Sequence, residues 1–421
     1  MIFLLSTPKS DEINTMSLSL LNTIVFKSDK SRSARVIFAK FLFCPYYLVM
    51  PNEQLKYLNA INVVASAKSG ALQLIHDKFE GDWGRAWHSD LAKYIPRDRD
   101  IEGKLVAPDY LKIQKRVDPD KEWAKLATNE INAITILDQE YPELLRHIPD
   151  PPFLLYVRGN HKAWANQCFG VVGTRALSEY GKRVVPHLVL DVARAGFNIV
   201  SGLAAGIDTL AHKTALDAGV PTIAVLGTGI DDATIFPPQN LALAHKIIEK
   251  DGAVISEYAI GTHGTKFSFP QRNRIISGLS RGVLVVEADQ ISGALITARC
   301  AAEQGRDVFA IPGSIFAKTS QGTNNILKKG AKLVTCAEDI LEEYALELSA
   351  KGGPASGGKI KIKGDNLAEE KILAMLSSEP IGIDDIIRQT GLAAHETNAT
   401  LTVMELKKKV KNLSGRFVLY G

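Results

Sequence analysis

Between residues 130 and 345, seven short β-branched, mostly apolar runs alternate with helical stretches, and this alternation limits the fold more than any other feature of the chain. The runs read GVV, NIVS, TIAVL, AVIS, VLVVE, VFAI and KLV, at 170–172, 198–201, 222–226, 253–256, 283–287, 308–311 and 332–334. Continuous runs without in–out alternation suit strands covered on both faces, the condition of a parallel sheet. Helices are predicted between them at 179–195, 207–218, 239–250, 273–279 and 297–304. Strand–helix alternation at this spacing predicts an α/β fold, an extended Rossmann-like, doubly wound parallel sheet. Such sheets bind ligands outside the carboxyl ends of their strands, so the loops that follow the strands are where function is sought.

At 421 residues the chain is longer than one domain needs. Residues 1–49 are rich in Ser and Lys and lack clear periodicity. They fit a poorly ordered extension, a start misplaced upstream of Met50, or a divergent helical cap. Residues 50–125 predict a small all-α module with helices at 53–65, 69–79 and 83–94. The sheet-forming core occupies 126–345. A Gly/Ser/Lys linker follows at 346–365. A compact unit at 366–421 closes the chain, with helices at 367–377, 383–390 and 395–408 and an extended tail at 415–420.

Composition removes several functional classes. The most apolar stretch, 36–50, is interrupted by Lys40 and Pro45 and falls short of the roughly 20 residues a membrane helix needs. The first residues lack the pattern of a signal peptide. The four cysteines, Cys44, Cys168, Cys300 and Cys336, form no CxxC pair and no zinc spacing. Scattered thiols fit a reducing compartment, so the cytoplasm is expected. A net charge of +4 means that any nucleic-acid footprint is local. No GxGxxG follows the first run and no ribose-binding acid is placed after it, which argues against NAD; no cofactor is expected. With no paired carboxylates, metal cluster or activated nucleophile in view, the chain is expected not to be an enzyme.

Four loops carry the candidate chemistry. After the first run, Gly173 permits a tight turn, Arg175 points to the ligand side, and Ser178 is suited to cap the next helix. Arg175 reads either as a phosphate contact or as a surface partner of a nearby carboxylate. After the second run, Ser201, Gly202 and Gly206 allow close approach of an anion, and Asp208 is expected to bond His212 one turn on. The segment Lys266–Arg274 joins three cations, two aromatics and a helix-starting proline, a combination that tracks phosphates and stacks bases. Arg272 and Arg274 point to different sides of a helix, so one faces a ligand and the other pairs with Glu257 or Glu287. Phe269 is expected to be the exposed ring and Phe267 to be buried. Ser292-Gly293 opens another anion-tolerant helix.

These residues are similar to those of a known family. Tyr141-Pro142-Glu143-Leu144-Leu145, Val171-Val172-Gly173-Thr174-Arg175, Ser201-Gly202-Leu203-Ala204-Ala205-Gly206-Ile207-Asp208, Phe269-Pro270-Gln271-Arg272-Asn273-Arg274 and Ser292-Gly293-Ala294-Leu295-Ile296-Thr297 occur in order over about 130–345. In this the chain resembles the DprA/Smf DNA-processing proteins. The resemblance implies single-stranded DNA binding by the core, a homodimer, loading of the RecA recombinase, and a place in natural transformation. It also implies a winged-helix fold for 366–421 and a SAM or helix-hairpin-helix-like fold for 50–125. The DNA-contacting set is then Arg175, Ser201, Gly202, Gly206, Lys266, Phe269, Arg272, Asn273, Arg274, Ser292 and Gly293, with no catalytic or metal-ligating residue. One departure is Phe236-Pro237, where the family usually has Tyr-Pro. The C-terminal unit carries seven Lys/Arg against seven Asp/Glu from 366 to 421. That balance makes a poor duplex binder and leaves a protein-contacting role open. Two other functions compete. One is a nucleotide hydrolase of a related α/β fold using Glu257 or Glu287. The other is a winged-helix regulator.

Overall fold

The computed structural model describes residues 50–344 and 366–419, except 69, 100–104, 107, 377–380, 408 and 414–415. The expectations for 1–49 and for the linker 346–365 lie outside the described residues.

The core is one nine-stranded sheet. Its strands are β1 (Asn132–Thr135), β2 (Leu154–Gly159), β3 (Gln167–Val172), β4 (Phe197–Ser201), β5 (Thr222–Leu226), β6 (Ala253–Ser256), β7 (Gly282–Val285), β8 (Asp307–Ala310) and β9 (Lys332–Leu333). They lie in the order β9-β8-β7-β3-β4-β5-β6-β2-β1. All neighbours from β9 to β6 run parallel, while β2 pairs antiparallel with both β6 and β1. The predicted parallel core is present, within two residues at each strand end except the start of β3, which lies three residues earlier than predicted. The antiparallel pair β1–β2 has no counterpart among the predicted runs. Asn-Ala-Ile-Thr offers only four residues, half of them wet, too little pattern to register.

From β3 the chain winds outward through β4, β5 and β6, then crosses back to lay β7 on the other side of β3. The strand order therefore reverses between β3 and β7, and a crevice opens there at their carboxyl ends. Helices α7 (Glu179–Arg194), α8 (Ile207–Asp217) and α9 (Leu241–Glu249) connect the outward strands, and α10 (Ser268–Leu279) and α11 (Gly293–Glu303) the return. Val185, Leu188, Val189 and Val192 of α7 follow helical spacing and pack with Phe169, Val171, Ile199 and Leu284 on one sheet face. Ile275, Ile276 and Leu279 of α10 cover Val172, Val200, Val225 and Val285 on the other.

Two helices begin earlier than the sequence predicts. For α10, the Thr265 hydroxyl accepts from the backbone N–H groups of Phe267 and Ser268, so Pro270 falls inside the first turn, where its missing donor costs nothing. For α11, the Ser292 hydroxyl accepts from the N–H of Ala294, capping the helix four residues before 297.

Helices α1 (Asn52–Ala65), α2 (Ala71–Phe79), α3 (Trp83–Trp87), α4 (Tyr110–Gln114) and α5 (Pro119–Thr128) form the N-terminal layer, and the one-turn helix α6 (Glu143–Arg146) lies between β1 and β2. The predicted helix 83–94 breaks after Trp87, and Asp90 caps a separate turn by accepting from the Ala92 N–H. Leu58, Ile61 and Val64 of α1 join one apolar cluster with Phe153, Leu154, Tyr156, Leu226 and Val254. The layer thus roofs the β5–β6–β2 end of the sheet. After β8 comes α12 (Lys318–Lys328), a helix that the strand–helix pattern does not predict.

The C-terminal unit has α13 (Leu367–Met375), α14 (Ile383–Thr390) and α15 (Ala394–Leu406) with a small antiparallel sheet: β10 (Ile381–Gly382), β11 (Val410–Leu413) and β12 (Arg416–Leu419), in the order β10-β12-β11. Ile372, Leu376, Ile386, Leu401, Met404, Val410 and Phe417 fill its core. This is a winged helix. Buried Glu369 takes ion pairs from Lys407 at 3.1 Å and Lys409 at 2.6 Å.

Candidate nucleic-acid interface

A cleft of about 450 Å³ opens at the switch point. The turn after β3 supplies Thr174 and Arg175, the loop after β7 supplies Asp289, Ile291, Ser292 and Gly293, and α10 with its approach supplies Lys266, Phe269, Arg272 and Asn273. Backbone bonds tie these segments together. Thr174 donates to the Glu287 carbonyl and accepts, through its own carbonyl, from the Ile207 N–H. Ser178 caps α7 as expected, accepting from the Gly181 N–H at 3.1 Å.

Seven of the eleven candidates line this cleft: Arg175, Lys266, Phe269, Arg272, Asn273, Ser292 and Gly293. The other four do not. Ser201 is buried and donates to the Val171 carbonyl. Gly202 lies behind the Arg272 guanidinium, and Gly206 lies against the carbonyls of Thr174 and Arg175. Arg274 points away and is the partner of Glu257, as one of the two arginines was expected to be. It bonds Glu257 at 2.7 Å and Asp150 at 3.0 Å. Glu287 instead accepts from the Ser178 hydroxyl. Thr174, Asp289, Ile291 and Thr297 also line the cleft and were missed, because nothing in their local pattern marks which way they face.

The cations differ in kind. Arg175 and Lys266 are exposed and, among the described residues, make no ion pair. Arg272 is buried; it donates to the carbonyls of Gly202 and Val225 and to Asn273 Oδ1. Burial pushes its guanidinium down to about 10, which leaves it charged at neutral pH. Beside it, burial raises the Asp208 carboxyl, an effect the Arg272 charge opposes. Asn273 donates to the Gly293 carbonyl at 3.2 Å, pinning α10 to the start of α11.

Two sequence expectations are corrected here. Asp208 does not bond His212; it accepts from the Gly202 N–H at 3.1 Å, while His212 Nδ1 meets Thr222 Oγ1 at 2.7 Å. A strand residue brought in by the fold outcompetes the helical neighbour. The aromatic assignment is reversed as well: Phe267 is 71% exposed, whereas Phe269 is half-buried, under the Arg175 guanidinium and against the Phe236 ring.

Among the described residues no group of three or more His, Cys, Asp or Glu could hold a metal ion, and no helix is long and apolar enough to cross a membrane.

Comparison with known proteins places this geometry. The family model for DNA recombination-mediator protein A matches residues 132–345, and that for the DprA winged helix domain matches 362–416. DNA processing protein DprA of Bacillus subtilis is 45% identical over 214 residues, covering 51% of this chain and 71% of its own. Protein Smf of Escherichia coli is 40% identical over 280 residues, 66% of this chain and 74% of its own. The X-ray structure of DNA processing protein A from Streptococcus pneumoniae superposes with a TM-score of 0.57 at 36% identity, covering 70% of this chain and 99% of that one.

Proposed function

This chain belongs to the DNA recombination-mediator protein A family, the DprA/Smf proteins, and from that premise we propose that its cleft holds single-stranded DNA and that the protein delivers the strand to the RecA recombinase without itself doing chemistry. The observation that carries this reading is the meeting, at one switch point, of two exposed cations free of ion pairs among the described residues, Arg175 and Lys266, with the start of α11 and a group of aromatic rings. Cations beside aromatic faces suit a strand whose bases are unstacked, since phosphates pair with the first and bases with the second. A duplex offers its bases only edge-on, within grooves, and this cleft holds no helix or ribbon to enter one.

The family's description as a recombination mediator supports the hand-over to RecA, and the resemblance of the core supports a cytoplasmic homodimer serving natural transformation. The non-catalytic reading rests on the carboxylates that a hydrolase of this fold would use. Glu257 is tied to Arg274, Glu287 is held by Ser178, and neither lines the cleft. In the winged helix, Lys407 and Lys409 are engaged by Glu369, which favours a protein contact over a DNA contact there.

The test is a competition titration at physiological salt, with a labelled single-stranded oligonucleotide challenged by unlabelled single strand or duplex of the same sequence. Single strand is expected to compete far better and the label to stay intact in the presence of magnesium. Equal competition by duplex, or cleavage that tracks the purified protein, would overturn the proposal.

A further inference from the structure

Phe269 lines the cleft, yet its ring is already enclosed. The Arg175 guanidinium carbon lies 5.7 Å from the ring centroid and the Phe236 ring 5.6 Å away, inclined by 46°. Its edges fit against two glycines. A Cβ on Gly264 would come within 2.5 Å of Cζ, and one on Gly227 within 3.0 Å of Cδ1. A ring seated against two backbones, with a guanidinium above it and a second ring beside it, is part of the cleft's wall. The open rings are its neighbours. Phe267 is 71% exposed, with the Lys266 ammonium 5.1 Å from its centroid, and Phe236 is 48% exposed.

Single exposed apolar side chains are ordinary, but apolar groups gathered beside a polar-rimmed cleft mark a binding groove. Here each open ring stands beside a cleft-lining residue that meets a ring or a phosphate-seeking charge: Phe267 with Lys266, Phe236 with Phe269 and, through it, Arg175. Each such pair offers a face on which a base can stack and a charge that can meet a phosphate. Resting on the single-strand reading of the cleft, we propose that Phe267 and Phe236 are the residues on which bases stack, and that Phe269 is a positioning residue that aims Arg175 at a phosphate.

The experiment uses the full chain and an oligothymidylate carrying one 2-aminopurine, whose emission reports stacking, titrated over a range of salt concentrations. Phe267→Ala and Phe236→Ala change exposed side chains, so melting temperatures are expected to hold. Each variant is expected to weaken binding by about 5- to 150-fold, to change the 2-aminopurine signal, and to leave the salt dependence as it was. Phe269→Leu is expected to keep the stacking signal and instead flatten the slope of log affinity against log salt by about 0.7, the loss of one phosphate contact on a single strand. A merely structural role for Phe269 would move the melting temperature and not that slope. The proposal is overturned if both alanine variants bind as the unchanged protein does, or if Phe269→Leu removes the stacking signal with the slope intact. Failure of the unchanged protein to bind single strands at all would be a different result, overturning the reading of the cleft and this assignment with it.

Discussion

Arg175 and Lys266 reach the cleft from opposite ends of the chain's logic, one from the turn after the first core strand and one from the approach to α10. Both are exposed and, among the described residues, unpaired by any carboxylate. A cation in that state releases a phosphate's counterions when it binds. Replacing either residue with Ala is expected to weaken binding of every sequence alike and to lower the salt slope by about 0.7, with the melting temperature unchanged. Salt titrations with the two variants check this; slopes that stay put in folded protein would place the DNA path elsewhere. Arg272 is a different residue despite its place in the same wall, because its donors serve the carbonyls of Gly202 and Val225. Its loss is expected to appear in folding before it appears in binding. The cations of the cleft were legible in the sequence because turn and cap residues announce which loops end up beside a helix start. The exposure of the rings was not. Phe269 is held by Gly227, which arrives from the end of another strand, and no local pattern around 267–269 reports a pocket supplied from so far back in the chain.

Among elements, α8 shows how packing across the sheet overrules helix periodicity. His212 lies four residues after Asp208, the spacing of a helical pair, but its face is turned to β4 and β5. Thr222 donates to the Ile199 carbonyl at 2.6 Å, so its oxygen accepts from His212 Nδ1–H at 2.7 Å. Nε2 is then left as a buried acceptor with no partner among the described residues. Burial, helped by the Arg272 charge, pushes the imidazole down to about 3, against about 6.5 in the unfolded chain. A depressed folded value gives stability that is fully present above about pH 6.5 and is lost as pH falls from there toward about 3. The loss approaches about 1.4 kcal/mol per pH unit. Urea unfolding at pH 7 and pH 5 should therefore show a drop about 2 kcal/mol larger for the unchanged protein than for His212→Asn, which keeps a donor toward Thr222 but does not titrate. Equal drops would mean that the imidazole is hydrated or charged in the native state. The central strands around this helix were read to within a residue or two because burial on both faces leaves an unbroken apolar run. The antiparallel pair β1–β2 has no counterpart among the predicted strands: β1 is four residues long and half wet, and β2, although its first four residues are buried, lies outside the strand–helix alternation that reveals the others.

At the scale of the whole molecule, the division between helical module and sheet is less sharp than sequence alone suggests. An amphipathic helix such as α1 announces that one face is to be buried but not against what. In the fold that face meets the sheet: Leu58, Ile61 and Val64 share a cluster with Leu154, Tyr156 and Val254. Polar contacts fasten the same joint. The Tyr156 hydroxyl donates to Asn59 at 2.7 Å and accepts from Asn62 at 3.1 Å, and Asn62 also donates to the Glu257 carbonyl at 3.0 Å. Gln271 of α10, within the segment that builds the cleft, donates to the Ala67 carbonyl at 3.2 Å. A fragment spanning 130–345 holds every cleft residue, and on the sequence alone it should keep most of the affinity. The shared core changes that expectation. Removing α1–α5 exposes apolar surface on β2, β5 and β6 to water, at a cost of about 25 cal/mol per Å², and takes from the Tyr156 hydroxyl its partners Asn59 and Asn62. The fragment 130–345 is expected to melt many degrees below a fragment spanning 50–345, or to aggregate, whereas 50–345 should match the full chain in both melting and single-strand affinity. Melting curves and strand titrations on the two fragments decide it. If 50–345 stays folded yet binds no strand, the DNA-reading surface lies in the winged helix, and the roofed sheet serves to carry it.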